Sequence, residues 1–201
     1  MLGGILDLER TKMIVMGPAK SGKGKLIERL ENDRFPEDSE DTSSLKISLA
    51  KVFGLHEECD LKLNYIQESK WQYLKDKHIF FEATLAVIVY DITSRESFLG
   101  AVSLFFKSKK ETVRNCQYLL LGNKTDLEGQ RKVTTDEAEG FARNHDMFFM
   151  ESSMKTTSNE ALVSKLKEMD QKYHEISKQY PEGCQLLNPP YKDEPAPSKL
   201  I

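Results

Sequence analysis

A short apolar run that leads into a glycine-rich loop constrains this 201-residue chain more than any other feature. Met13-Ile-Val-Met16 runs directly into Gly17-Pro-Ala-Lys-Ser-Gly-Lys23-Gly24. A buried strand, a glycine turn and a helix N-terminus present several backbone N–H groups to one point, which suits a phosphate group. The pattern Gly-x-x-x-x-Gly-Lys normally continues with Ser or Thr, whose hydroxyl ligates Mg²⁺. Gly24 stands at that position, so the loop predicts a phosphate cradle that lacks one metal ligand. The alternative is a surface turn rich in glycine and lysine.

Several residues of this loop and of the segment after it are candidates to bind phosphate. Lys23 is expected to reach the β and γ phosphates of a nucleotide. Lys20 and Lys25 are additional cations, which either offset a weaker metal site or are solvated surface lysines. The full set of candidates is Gly17, Lys20, Ser21, Gly22, Lys23, Gly24 and Lys25.

Apolar runs and charged segments alternate along the chain, which predicts an α/β doubly wound fold. Continuous apolar runs that end in polar or glycine residues suit strands buried on both faces of a parallel sheet. The runs lie at 13–16, 85–90, 118–121 and 147–150, and segments with helical spacing lie at 96–112, 135–144 and 159–180. Residues 45–53 and 60–66 alternate in polarity or carry Lys on one face, so they predict an antiparallel hairpin at the sheet edge.

A polar element, Asn123-Lys-Thr-Asp126, directly follows one of the predicted buried strands. An aspartate there can accept hydrogen bonds from the N1–H and the exocyclic amine of guanine, which adenine cannot supply. The amide of Asn123 can bond to the O6/N7 edge of the base or tie loops together, and the stem of Lys124 can lie across the flat base. The alternative is an ordinary turn, because Asn, Thr and Asp are common turn residues.

A third element, Ser152-Ser-Met-Lys155, follows the short apolar run at 147–150. Together with Tyr90-Asp-Ile-Thr93, the three elements resemble in order and spacing the Ras-like small GTPases, most closely the Rab branch, over about residues 11–175. The resemblance implies a P-loop small-GTPase fold, with a mostly parallel six-stranded sheet and one antiparallel edge strand. It implies GTP or GDP as ligand, read by Asn123, Lys124 and Asp126. It also implies that Ser153, Met154 and Lys155 form the turn whose backbone N–H meets guanine O6.

The departures from the family pattern fall on the metal and the switch regions. Gly24 removes the loop hydroxyl, and Asn64-Tyr-Ile-Gln67-Glu68 stands where the family has Asp-x-x-Gly-Gln. Gln67 is the candidate catalytic residue that would orient water, and Thr42 is the candidate Mg²⁺ ligand of the first switch. Phosphoryl transfer depends on charge neutralisation by Mg²⁺ and on a placed water. The departures therefore predict that Mg²⁺ binding and hydrolysis are weak or absent.

Composition and charge argue against several other classes of protein. A net charge of −3 and a pI near 5.9 do not fit a protein that binds nucleic acid through phosphate electrostatics. Cys59, Cys116 and Cys184 lie far apart without metal-ligand spacing, so they predict reduced thiols in an intracellular protein. The apolar runs are too short to span a bilayer. A cytoplasmic protein is therefore expected.

The chain is expected to divide into an N-terminal extension at 1–10, a Rab-like GTP-binding domain at 11–180 and a Pro-rich flexible tail at 181–201. It ends Pro-Ser-Lys-Leu-Ile201, without the cysteine that Rab proteins use for prenylation, which predicts no direct lipid anchor. Membrane recruitment would then depend on a protein partner. Unanchored Rab-like proteins of ciliary transport offer an analogy for a ciliary location.

Three functions remain open at this point. The first is a guanine-nucleotide-binding, Rab-like protein with degenerate switch regions and weak or absent hydrolysis, which acts through protein effectors or complex subunits. The second is a nucleotide-independent pseudo-GTPase that serves as an interaction module in a trafficking or ciliary assembly. The third is an active GTPase with non-standard catalytic groups such as Gln67.

Overall fold

A computed structural model describes residues 12–32, 47–50, 61–66, 83–112, 115–156 and 159–178. The strands are Lys12–Met16 (β1), Ile47–Ala50 (β2), Leu61–Ile66 (β3), Leu85–Asp91 (β4), Gln117–Asn123 (β5) and Phe148–Glu151 (β6). The α-helices are Lys23–Asn32 (α1), Arg95–Lys109 (α2), Thr135–Asn144 (α3) and Asn159–Ser177 (α4), and Thr125–Gln130 forms a 3₁₀ helix.

The described strands form one six-stranded sheet in the order β2-β3-β1-β4-β5-β6. All neighbours pair in parallel except β2 and β3, which are antiparallel from Ile47 opposite Asn64 to Ala50 opposite Leu61. The predicted mostly parallel sheet with one antiparallel edge strand is therefore confirmed. The residues that connect β2 to β3 lie outside the described part of the chain.

The central strands β4 and β5 are buried along their whole length. Side chains that alternate along β1 enter two different hydrophobic clusters, with Ile14 in one and Val15 in the other. The first cluster includes residues of α2 and α3, and the second includes residues of α1 and α4. This double covering explains why the central strands read as continuous apolar runs, since neither face of the sheet is left for polar side chains.

Local capping sets the helix boundaries close to the expected positions. The Ser94 hydroxyl accepts a hydrogen bond from the backbone N–H of Ser97, so α2 begins one residue before the predicted position. The same helix ends at Lys109 rather than at Thr112, whose buried hydroxyl is within 2.8 Å of the Tyr118 hydroxyl. Helix α3 has its predicted limits, and the Thr134 hydroxyl caps it by accepting from Glu137 N.

Helix α4 packs against the sheet through the stripe of apolar residues that the sequence predicts. Leu162, Leu166 and Met169 are all buried in the cluster that includes β1 and α1. The helix ends at Ser177, three residues before the predicted limit at position 180. A fully buried aliphatic side chain contributes about 1.5–3 kcal/mol, so this stripe fixes α4 on the sheet.

Candidate functional site

The carboxyl ends of four parallel strands meet at one edge of the sheet. The register aligns Asp91 at the end of β4 with Asn123 at the end of β5, and Gly122 with Glu151 at the end of β6. The Gly17–Gly24 loop leaves the end of β1, which is the other neighbour of β4. Ligands of doubly wound proteins bind outside this edge. The three polar elements predicted from the sequence therefore lie on the edge that such ligands use.

Two glycines are required by the path of the Gly17–Gly24 loop. A Cβ atom on Gly17 would lie 2.2 Å from the backbone oxygen of Val89, which cannot move without disturbing β4. Gly22 has a φ of 96°, and a Cβ atom there would lie 2.0 Å from Nδ2 of Asn123. A side chain at either position would collide with a strand or with the polar element after β5. The loop is thus a close-packed turn rather than a free surface turn.

The ammonium group of Lys23 lies over the loop that precedes it. Lys23 is 2 % exposed, and its Nζ donates to the backbone oxygen of Pro18 and is 3.5 Å from Oγ of Ser21. Of the two additional lysines, Lys20 is exposed and has a φ of 61°, whereas Lys25 is half-buried at the start of α1. The loop therefore places one buried cation and several backbone N–H groups at the start of α1.

Asn123 connects the loop with the turn that follows β6. This side chain is 3 % exposed; its Nδ2 donates to the backbone oxygen of Ser21 at 2.9 Å, and its Oδ1 accepts from the backbone N–H of Met154 at 3.2 Å. Of the two roles open for this amide, the structure shows the tying of loops. The resemblance assigns a backbone N–H of this turn to guanine O6, whereas here the Met154 N–H satisfies the Asn123 oxygen.

Asp126 and Ser153 lie against each other, although 27 positions separate them in the sequence. The buried hydroxyl of Ser153 donates to Oδ1 of Asp126 at 2.6 Å, while Asp126 itself is exposed. The same hydroxyl accepts from the backbone N–H of Lys155 at 3.1 Å. One carboxylate oxygen is thus held by the turn after β6.

Lys124 forms an ion pair that sequence reasoning did not find. Its φ of 71° is left-handed, and its Nζ is 2.5 Å from Oδ2 of Asp91. Oδ1 of Asp91 accepts from the backbone N–H and the hydroxyl of Thr93 at 2.9 and 2.7 Å. Burial alone would raise the pKa of Asp91, but the hydrogen bonds from Lys124 and Thr93 outweigh it and hold this pKa below its usual range.

The lowered pKa makes the contribution of Asp91 to stability depend on pH. That contribution is complete above the unfolded-state pKa of about 4 and is lost as the pH falls through the lower folded-state value. Asp91→Asn is expected to lower the free energy of unfolding at pH 7 by about 1 kcal/mol. Urea denaturation at several pH values should show this deficit shrinking below a pH of about 4. A deficit that stays constant down to pH 3, or an equal deficit in the exposed-site control Asp136→Asn, would contradict this assignment.

Two further arginines hold the polar elements, and neither stands in a motif that marks it. Nη1 of Arg29 on α1 donates to the backbone oxygen of Met154. Arg131 pairs with Glu151 at the end of β6. A contact between charges that are distant in the sequence depends on strand register, so neither arginine could be assigned from the sequence. The one sequence feature that pointed to this region was the position of Glu151 immediately before Ser152-Ser153.

Among the described residues, the position that carries the Mg²⁺-binding hydroxyl in the family pattern is occupied by a glycine. Gly24 lies in the first turn of α1 and offers no side-chain oxygen where a hydroxyl would be needed. Thr42 and Gln67 lie outside the described residues. In the part of the chain that is described, no group of three or more His, Cys, Asp or Glu side chains could hold a metal ion.

A doubly wound sheet with a glycine loop, a buried lysine and a polar turn after β5 defines a P-loop nucleotide-binding protein. The model of the Ras family matches residues 12–177, and the chain therefore belongs to the Ras family. It is 30 % identical over 189 residues to "Ras-related protein Rab5" of Nicotiana tabacum, covering 92 % of this chain and 90 % of the relative. It is 31 % identical over 186 residues to "Ras-related protein RHN1" of Nicotiana plumbaginifolia, covering 89 % and 84 %.

Membership of the family supports nucleotide binding and a role as a small GTPase of the Rab type. Proteins of this family bind GTP and GDP, usually with Mg²⁺, and act through protein effectors. Within the described ranges, no helix is long and apolar enough to cross a membrane.

Proposed function

We propose that this protein binds GDP and GTP through the edge of the sheet, hydrolyses GTP weakly or not at all, and acts through protein partners. The observation that carries the proposal is the double hydrogen bonding of Asn123, which joins the Gly17–Gly24 loop to the turn after β6. A base and a phosphate of one ligand can then contact elements whose spacing is already set. Such preorganisation lowers the entropy that binding must overcome.

The phosphate side of the proposed site is built from the loop and the N-terminus of α1. Backbone N–H groups and the Lys23 ammonium would hold the phosphates. The hydrogen bond to the Pro18 oxygen keeps the Lys23 ammonium over the loop, close to where a bound phosphate would lie. The proposed phosphate-binding residues are Gly17, Lys20, Ser21, Gly22, Lys23, Gly24 and Lys25.

The guanine side of the proposed site depends on the carboxylate of Asp126. The Ser153 hydroxyl occupies one lone pair of Oδ1 and restricts the rotation of the carboxylate. The remaining acceptors suit the N1–H and the exocyclic amine of guanine, and adenine would leave them unpaired. Lys124 would cover the base with its stem while Asp91 holds its ammonium group. Ser153, Met154 and Lys155 would form the wall behind O6.

We propose that the site binds Mg²⁺ weakly. Gly24 lacks the hydroxyl ligand, and β3 ends at Ile66, which is opposite Met16 in the register. Asn64-Tyr-Ile-Gln67-Glu68 stands where the family has Asp-x-x-Gly-Gln, so this pattern lacks the Asp that supports Mg²⁺. Both losses fall on the side of the γ phosphate, so hydrolysis should suffer more than binding.

The nucleotide content of the purified protein tests the proposal most directly. Chromatography of the released ligand should give GDP or GTP, and calorimetry of the stripped protein should give a higher affinity for GDP than for ADP. Protein that carries no guanine nucleotide and has no affinity for GDP or GTP would disprove the proposal. Multiple-turnover hydrolysis that is lost in Gln67→Ala would instead favour an active enzyme that uses Gln67.

Restoring the missing hydroxyl should restore dependence on the metal. Gly24→Ser is expected to raise the affinity for GDP in the presence of Mg²⁺ by about tenfold over that in EDTA, because the hydroxyl supplies a ligand. The wild type should show little difference between Mg²⁺ and EDTA. Gly24→Ala is the matched control, since it makes the same helix-favouring change without an oxygen. Equal behaviour of the Ser and Ala variants would contradict the assigned role of position 24.

A nucleotide-independent interaction module is the second candidate. It is favoured by the internal hydrogen bonds of the site, because Lys23, Asn123 and Met154 N all have protein partners. Hydrogen exchange of peptides from 33–46 and 67–82, compared between GDP and GTP, separates the two candidates. A clear difference supports a nucleotide switch, and no binding at all supports the module. In either case we propose a cytoplasmic protein that a protein partner recruits to membranes or cilia.

A further inference from the structure

The 3₁₀ helix Thr125–Gln130, which carries Asp126, is not anchored by a hydrophobic core. None of its residues is buried, and the side chain of its N-cap residue Lys124 makes no capping hydrogen bond to the helix, since it pairs with Asp91 instead. No fully buried side chain of this helix therefore fixes the position of the Asp126 carboxylate. Polar contacts at the ends of this segment therefore contribute to its position.

Arg131, the residue after this 3₁₀ helix, holds two carboxylates with one guanidinium group. Its Nε and Nη2 donate to Oε1 and Oε2 of Glu128 at 2.6 and 2.7 Å. Its Nη1 and Nη2 donate to Oε1 and Oε2 of Glu151 at 2.8 and 2.9 Å, and Nη1 also reaches the backbone oxygen of Val133 at 3.0 Å. Bidentate pairs of this kind restrict orientation as well as distance.

The pairs of Arg131 with Glu128 and with Glu151 are called here the two arms of a clamp. The two arms differ in how far they are exposed to solvent. The side chains of Arg131 and Glu151 are 16 % and 14 % exposed, whereas that of Glu128 is 63 % exposed. An exposed pair contributes little because water and salt screen it, but a shielded bidentate pair is costly to break. The arm to Glu151 is therefore the one that fixes the segment.

Glu151 is itself held firmly at the end of β6. Thr135 Oγ1 donates to Oε2 at 3.0 Å, and the Tyr90 hydroxyl donates to Oε1 at 3.4 Å. Burial, followed by the nearby Glu151 carboxylate, raises the pKa of Tyr90 well above its usual range, so the phenol remains a donor. The two residues after Glu151 are Ser152 and Ser153, and Ser153 donates to Asp126.

We propose that Arg131, through its bidentate pair with Glu151, is a positioning residue that aims the Asp126 carboxylate and thereby sets selectivity for the exocyclic amine of the base. The inference rests on the proposed function. The 3₁₀ helix would be fixed at one end by β5 and at the other by Arg131. Glu151 would fix Asp126 through Arg131 and Ser153 through the chain that follows β6, so that the two residues keep a constant relative position.

The ratio of the affinities for GDP and IDP measures this positioning directly, because hypoxanthine differs from guanine only by the missing amine. Loss of this clamp should weaken the binding of GDP more than that of IDP, since hypoxanthine donates only its N1–H to Asp126 and has no amine that depends on the second carboxylate oxygen. Arg131→Ala is expected to lower the GDP/IDP affinity ratio by about tenfold, and Arg131→Lys by an intermediate factor, because lysine cannot form both bidentate pairs. A role in stability alone would lower the melting temperature and leave the ratio unchanged.

Glu151→Gln and Glu128→Gln keep the test decisive if Arg131→Ala does not fold. Glu151→Gln should lower the ratio by about threefold and Glu128→Gln should leave it within error, because only the first arm is shielded from water. Arg143→Ala removes an exposed arginine of α3 and is the control for general charge effects. An unchanged ratio in folded Arg131 and Glu151 variants overturns the inference alone. A wild type that binds neither GDP nor IDP overturns the proposed function and the inference together.

Discussion

Asp126→Ala is expected to lower the affinity for GDP by about a thousandfold, which corresponds to about 4 kcal/mol. The alanine removes the acceptors for the N1–H and the exocyclic amine of guanine, and it leaves both donors unpaired in the complex. It also removes the carboxylate to which the Ser153 hydroxyl donates. Affinity for IDP should fall less, so that the variant no longer distinguishes GDP from IDP.

Isothermal titration calorimetry of nucleotide-free protein measures this loss. Asp126→Asn provides a chemical control, because the amide can donate to the 2-oxo group of xanthine and should bind XDP better than GDP. Asp136→Ala, an exposed aspartate in the first turn of α3, should bind GDP like the wild type. Retention of GDP affinity in Asp126→Ala would place guanine recognition elsewhere.

Gly22→Ala is expected to lower the free energy of unfolding by about 3–5 kcal/mol and to abolish nucleotide binding. The new methyl group would lie 2.0 Å from Nδ2 of Asn123, at a φ of 96° that side chains rarely adopt. Asn123 can escape only by giving up its hydrogen bonds to Ser21 and Met154, and this leaves two buried backbone groups unpaired. The penalty therefore combines backbone strain with the loss of buried partners.

Urea denaturation and GDP titration together check this result. Gly140→Ala is the matched control: a Cβ atom on this glycine of α3 meets nothing within 4 Å. It should be neutral or stabilise the protein by up to about 1 kcal/mol, because alanine favours a helix over glycine. If Gly22→Ala unfolds at the same urea concentration as the wild type, the contact between Gly22 and Asn123 is not rigid.

The sheet could be predicted because its signals are local and strong. Residues 85–90 and 118–121 read as buried strands, and both lie in central strands that helices cover on two faces. Helix α3 could be delimited because Thr134 supplies a cap. The ends of α2 and α4 were set too far along the chain, since a helical pattern does not show where the last turn unwinds.

The contacts of the site could be predicted only in part, because they depend on register. Asn123 and Asp126 were recognised from their motif, but the two partners of the Asn123 amide follow from how β5 and β6 align. The pairing of Asp91 with Lys124 spans 33 positions and has no signal in either segment alone. Thr42 and Gln67, and the segments at 1–10 and 181–201, stay predictions because they lie outside the described residues.

The bridge made by Asn123 has a consequence for how a bound nucleotide would leave. The phosphates would contact the Gly17–Gly24 loop and the base would contact the turn after β6, and the Asn123 amide is hydrogen-bonded to both elements. The contacts at the two ends of the ligand would therefore be lost together. A partner that displaces Ser21 would also move the Asn123 side chain, whose Oδ1 accepts from the backbone N–H of Met154. Dissociation would then be a single cooperative event, and a partner that touches only the phosphate end could accelerate it.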